Sequence, residues 1–104
     1  MAETPAYEVD RKVMVELVKK TLGDVEGVYG IKRNMWGDDL RVKSGDKGVT
    51  LQVGIVVREG VTIPTVAEAA SQQLKHSIET TLGLPVANLK LTVRGIKFHR
   101  SPER

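Results

Sequence analysis

The stretch Gly48-Val49-Thr50-Leu51-Gln52-Val53-Gly54-Ile55-Val56-Val57-Arg58-Glu59 decides how the rest of the chain is read. Val49, Leu51, Val53, Ile55 and Val57 alternate with Thr50, Gln52, Gly54, Val56 and Arg58. A period of two over ten residues defines a strand with one apolar face and one mostly wet face. Such a strand belongs to a sheet covered on one side only, which an antiparallel or mixed sheet tolerates.

The sequence on either side supplies the cover. C-terminal to the strand, Gly60 turns the chain, and Ile63, Ala67, Ala70, Leu74, Ile78 and Leu82 repeat at helical spacing. Glu68, Gln72, Lys75, His76 and Glu79 take the opposite side of that helix. Pro64 suits a first helical turn, Thr65 with Glu68 has the spacing of a capping box, and Gly83 with Pro85 marks the stop. A last strand spans about residues 86–98, with Leu89, Leu91 and Val93 inward; beyond Gly95 the apolar phase shifts to Ile96 and Phe98, which signals a bulge.

N-terminal to the central strand, residues 7–22 read as a helix burying Met14, Leu17, Val18, Thr21 and Leu22, with Gly23 as a left-handed cap. Residues 25–32 form a first strand in which Gly27 and Gly30 point to a bulge or a close backbone approach. Residues 33–47 are the least regular, with Arg41-Val42-Lys43 as a short edge strand. The element order is therefore α-β-(β)-β-α-β. It specifies an α+β fold: a single two-layer domain, with a mixed three- to four-stranded sheet and two helices on one face. One domain is expected over residues 1–104, ordered over about 7–98 and ending in short flexible tails.

Composition agrees and narrows the chemistry. The 104 residues are 40% hydrophobic and 28% charged, values of an ordinary globular domain. With no cysteine, disulfides, thiolate metal sites and thiol nucleophiles are excluded. The uncharged apolar run 53–57 is far short of the roughly 18–20 residues of a spanning helix. The acidic start, Met1 to Pro5, lacks the apolar core of a signal peptide, so a cytoplasmic location without membrane insertion is expected. Sixteen lysines and arginines against thirteen acids leave a net charge of +3, crowded toward Lys97, His99, Arg100 and Arg104.

No arrangement of catalytic or ligating residues emerges. His76 and His99 lack a partner at ligand spacing, and Asp38, Asp39 and Asp46 lack the regular spacing of a calcium loop. Ser44, Ser71, Ser77 and Ser101 sit in no recognisable nucleophile motif. The expectation is a protein that is not an enzyme and has no metal and no cofactor.

Two features carry functional readings. Arg58, Lys90 and Arg94 project from the wet sheet face, joined by Arg41 or Lys43; this is either a plain solvated face or a platform for RNA. The helix-strand order has some similarity to KH-type folds, yet their GxxG clamp is absent and aromatics are only 4%. The second feature is Met35-Trp36, set in the polar stretch 33–39 with the chain's one tryptophan. Trp36 either folds back onto the core edge or stands out as an anchor for a partner.

A resemblance goes further. Residues 25–31, Val-Glu-Gly-Val-Tyr-Gly-Ile, are similar to a "VxGVxG" strand, and residues 60–67, Gly-Val-Thr-Ile-Pro-Thr-Val-Ala, to a "GxxIPxVA" helix opening. Thr81-Leu82-Gly83-Leu84-Pro85-Val86 and Val93-Arg94-Gly95-Ile96 resemble "TGLxV" and "VxGV" closing elements. With the long central strand, and in this order over about residues 8–98, they resemble the alkaline shock protein, or Gls-type envelope stress response, family of bacteria. The resemblance implies a non-enzymatic cytoplasmic protein linked to envelope stress. Such a protein acts as a self-associating scaffold or docks on a membrane-anchored partner. The alternative function is the KH-like RNA-binding module.

Overall fold

The computed structural model describes residues 9–98. The central strand is β5 (Gly48–Arg58), with the apolar face expected of it: Val49, Leu51, Val53, Ile55 and Val57 are all buried. Against one edge runs β6 (Val86–Lys97), parallel to β5, and against the other run β1 (Val28–Ile31) and β4 (Leu40–Gly45), both antiparallel. Helices α1 (Arg11–Gly23) and α2 (Ile63–Ser77) bury Met14, Val18 and Leu22, and Val66, Ala70 and Leu74, in the same core as the apolar face of β5. The result is an α+β domain with a mixed sheet and both helices on one face, and the other face is left open.

β1 and β4 occupy the same edge of β5 in succession. Gly54 sits at their junction: its carbonyl accepts from Lys32 N at 2.8 Å, its N–H donates to the Asp39 carbonyl at 2.9 Å, and Asp39 N donates to the Lys32 carbonyl at 2.8 Å. The edge is thus one strand interrupted between Lys32 and Asp39. From the interruption, β2 (Arg33–Asn34) and β3 (Gly37–Asp38) loop out as a small antiparallel hairpin. The irregular stretch in the sequence is this hairpin followed by β4, a strand longer than the three residues expected.

Several boundaries differ from the sequence reading, each for a local reason. Helix α1 begins at Arg11, not at residue 7, because Asp10 serves as its N-cap and accepts from Lys12 N at 2.8 Å. Its end is not the left-handed glycine cap expected at Gly23: Asp24 closes it in a right-handed conformation. The positive φ, 95°, falls instead at Gly27, where an added Cβ would lie 2.8 Å from Val66 Cγ2. Gly27 is required by close packing of the loop on α2.

Helix α2 starts after Thr62 with Pro64 in its first turn and no side-chain cap, so Thr65 and Glu68 form no capping box. Val66 takes the buried position that the sequence assigned to Ile63 and Ala67. After a π-helical turn (Ile78–Leu82), Gly83 adopts the left-handed conformation at φ 68°, as the sequence predicts. Both predicted irregularities are present, one in β1 between Val28 and Gly30 and one in β6 opposite the Ile55–Val56 step.

Candidate functional site

Two surfaces hold the residues that the sequence singles out. The first is the hairpin. Asn34 and Gly37 pair at its end, and the Asn34 side chain accepts from Trp36 N at 2.8 Å, the local bond that fixes an asparagine turn. Met35 and Trp36 form the tip and are 85% and 87% exposed. Trp36 therefore does not fold back onto the core edge.

The base of the hairpin is held on α1. Asp38, at the foot of β3, has a side chain only 13% exposed and pairs with Lys19 Nζ of α1 at 3.4 Å and with Arg33 Nε at 3.7 Å. Farther along the same helix, Arg11 Nη1 donates to the Leu40 carbonyl at 2.7 Å. An apolar tip is thus presented on a base tied to the body of the domain.

The second surface is the open sheet face. Register places Arg41 and Lys90 on either side of Gln52, and Lys43 and Asn88 on either side of Thr50. One step along, Arg94 lies at the β6 bulge, which re-aims it across the sheet. Its Nε donates to Asp39 Oδ2 at 2.8 Å. This ion pair spans β5 over Gly54: a Cβ there would collide with the Asp39 carboxylate and lie 2.9 Å from Arg94 Cγ. Asp39, Arg41, Gln52, Lys90, Thr92 and Arg94 line a polar depression of ≈ 200 Å³.

Arg58 is not part of that cluster. It sits six residues beyond Gln52, about 20 Å along the strand. There the Arg58 guanidinium and the Lys97 ammonium lie 5.5 and 5.4 Å from the centroid of the Tyr29 ring. The structure thus brings Lys90 and Arg94 together with Arg41, separates Arg58 from them, and sets Met35 and Trp36 on a different surface altogether.

Sequence reasoning placed Gly54 on this face by alternation but did not assign Asp39 to it. The available signal was a glycine in the middle of a β-branched strand, which marks close approach by a neighbouring group. As for metals, the described residues contain no group of three or more His, Asp or Glu able to hold an ion. Asp38 and Asp39 are engaged by cations.

The fold and these surfaces define a small α+β domain with no recognisable catalytic constellation among its described residues. The family model of the alkaline shock protein 23 family, with a cell envelope-related function, matches residues 2–98, and the chain belongs to that family. A relative is the uncharacterized protein YqhY of Bacillus subtilis (strain 168), 29% identical over 62 residues, covering 60% of this chain and 46% of that protein. The chain spans about half the length of this relative.

Among solved structures, one MamM CTD superposes with a TM-score of 0.59 at 14% identity, over 84% of this chain and 96% of that one. A copper form of the MamM CTD gives 0.59 at 12% identity, over 85% and 100%. At these identities the likeness is one of fold. No helix among the described residues is long and apolar enough to cross a membrane.

Proposed function

We propose that this protein is a non-enzymatic scaffold of the cell envelope response, and that the Met35–Trp36 hairpin is its docking element. It engages a protein, either a second copy of the chain or a membrane-anchored partner. One observation carries the reading: a tryptophan and a methionine stand almost fully exposed at the tip of a hairpin. Exposed at that tip they contribute little to folding, whereas a buried tryptophan anchor commonly supplies 2 kcal/mol or more of binding, by about the measure of interface hot spots.

The tether through Lys19, Asp38 and Arg11 supports the same reading, because a restrained element loses less entropy on docking. The family's cell envelope-related function supports the setting. The RNA alternative draws less support from the open face. Tyr29 is the aromatic there among the described residues, and the cations of Arg58 and Lys97 lie over its ring, where they compete with a stacking base.

Trp36 is the only tryptophan, so its fluorescence reports on the tip alone. Emission that shifts to the blue with rising protein concentration, in step with growth in light-scattering mass, is the result expected for a second copy. A blue shift only on adding membranes from the native host identifies the membrane-anchored partner. Assembly in Trp36→Ala equal to that of the unmodified protein would overturn the role of the hairpin.

A further inference from the structure

The depression on the open sheet face is separate from the hairpin, and its chemistry is different. Arg41 and Lys90 approach it from β4 and β6, their backbones about 10 Å apart across the intervening β5. Among the described residues neither side chain has an ion-pair or hydrogen-bond partner. Arg94 has one: its Nε is taken by Asp39 Oδ2, which leaves both terminal nitrogens without a partner. Asp39 thereby acts as a positioning residue that holds the guanidinium over Gly54.

Three cations around one depression repel one another, and Asp39 offsets only one of the charges. Two positive charges remain uncompensated at a concave polar site, where an anion would relieve them. The neutral donors of Gln52 and Thr92 complete a set suited to a tetrahedral oxyanion. At ≈ 200 Å³ the depression is smaller than the roughly 300–1,000 Å³ of pockets that enclose drug-sized molecules, so it takes one compact group.

We propose that Arg41, Lys90 and Arg94 form a binding site for a phosphate group, either inorganic phosphate or the phosphate of a lipid headgroup. Arg94 presents its two terminal nitrogens in the forked geometry that guanidinium uses for phosphate, and Lys90 contributes a point charge. The proposal is independent of the docking role of the hairpin, since Met35 and Trp36 lie on a different surface.

The test is a titration of the full chain with inorganic phosphate at constant ionic strength, read by amide chemical shifts. Saturable shifts centred on residues 41, 52, 90 and 92 are expected, and the double variant Arg41→Gln/Lys90→Gln weakens them at least tenfold with an unchanged melting temperature. The control variant Lys43→Gln/Lys97→Gln, which alters cations outside the depression, keeps the affinity within twofold.

Two vesicle arms separate the sources. Co-sedimentation with phosphatidylglycerol vesicles but not phosphatidylcholine vesicles, lost in the Arg41/Lys90 double variant, assigns a lipid headgroup. Saturable phosphate binding without vesicle binding assigns the free anion. Shifts that never saturate, or that weaken equally in both double variants, would overturn the site. So would single-stranded RNA bound at physiological salt at least a hundredfold more tightly than phosphate, which would give the face to nucleic acid.

Discussion

The two faces of β5 come from one alternating stretch, yet they are governed by different physics. On the inner face five apolar side chains lie in register with β6 on one side and with β4 or β1 on the other, and they share one core with both helices. There each buried valine or isoleucine gains about 1.5–3 kcal/mol from leaving water, and size and shape are tightly constrained. On the outer face Thr50, Gln52, Gly54 and Arg58 gain little from burial, and what matters is which charges the sheet brings together. The inner face therefore accounts for the fold and the outer face is free to bind. Their difference is testable by substitutions one residue apart.

The largest effect belongs to Val53→Asp. Val53 is 3% exposed and lies between Leu40 and Leu91 across the sheet. A carboxylate there has no partner, so the loss amounts to several kcal/mol of the roughly 5–15 a domain of this kind possesses. The expected outcome is a protein that is largely unfolded at room temperature, checked by circular dichroism and urea titration.

Gly54→Ala follows, and it probes the boundary between the faces. The new methyl group must displace Asp39 or Arg94, which costs about 1–3 kcal/mol as overpacking. The melting temperature falls, and the Asp39–Arg94 pair opens. An unchanged melting temperature would show that nothing lies over Gly54. Asp10→Ala is next, at about 1 kcal/mol for loss of the N-cap of α1. For a domain of this size that lowers the melting temperature by roughly 4–8 °C.

These substitutions also show why the fold was more legible than the site. The strand, both helices and the one-sided sheet follow from spacing, because burial imposes a period on the residues that carry it. The bulges were readable from Gly30 and from the phase shift at Gly95, and Gly83 from its place after a helix. The capping box at Thr65 was misread because Pro64, one residue before it, fits the first turn without any side-chain cap. Gly23 misled because the tight packing lies four residues on, at Gly27, and only α2 reveals it.

The site residues are another matter. Asp39 is one of several acids in an irregular stretch of sequence until β4 and β6 set it opposite Arg94, 55 positions away in the chain. Lys90 and Arg94 were placed on the wet face by alternation, but nothing local separates them from Arg58. Trp36 was a tryptophan in a polar stretch, and whether it was buried depended on a hairpin only two residues wide on each side. Charge clusters are products of register, and register is a property of the assembled sheet.

The smallest effect is expected from Gln52→Asp, and it sharpens the comparison most because Gln52 adjoins Val53. Gln52 is exposed on the outer face, with Arg41 and Lys90 in register on either side. A carboxylate there meets two cations that have no ion-pair partner, so its sign is the reverse of that at Val53: about 0.2–1 kcal/mol of stabilisation, typical of an opposite-charge pair across strands. The gain shrinks as salt screens the exposed charges, most of it gone near 1 M, where the screening length is about 3 Å. The melting temperature in low salt therefore rises by a few degrees at most and returns to that of the parent in high salt. The same carboxylate fills the place of a bound anion, so phosphate shifts vanish from a domain that is slightly more stable. A variant that melts like Val53→Asp would mean that the two faces of β5 are assigned the wrong way round.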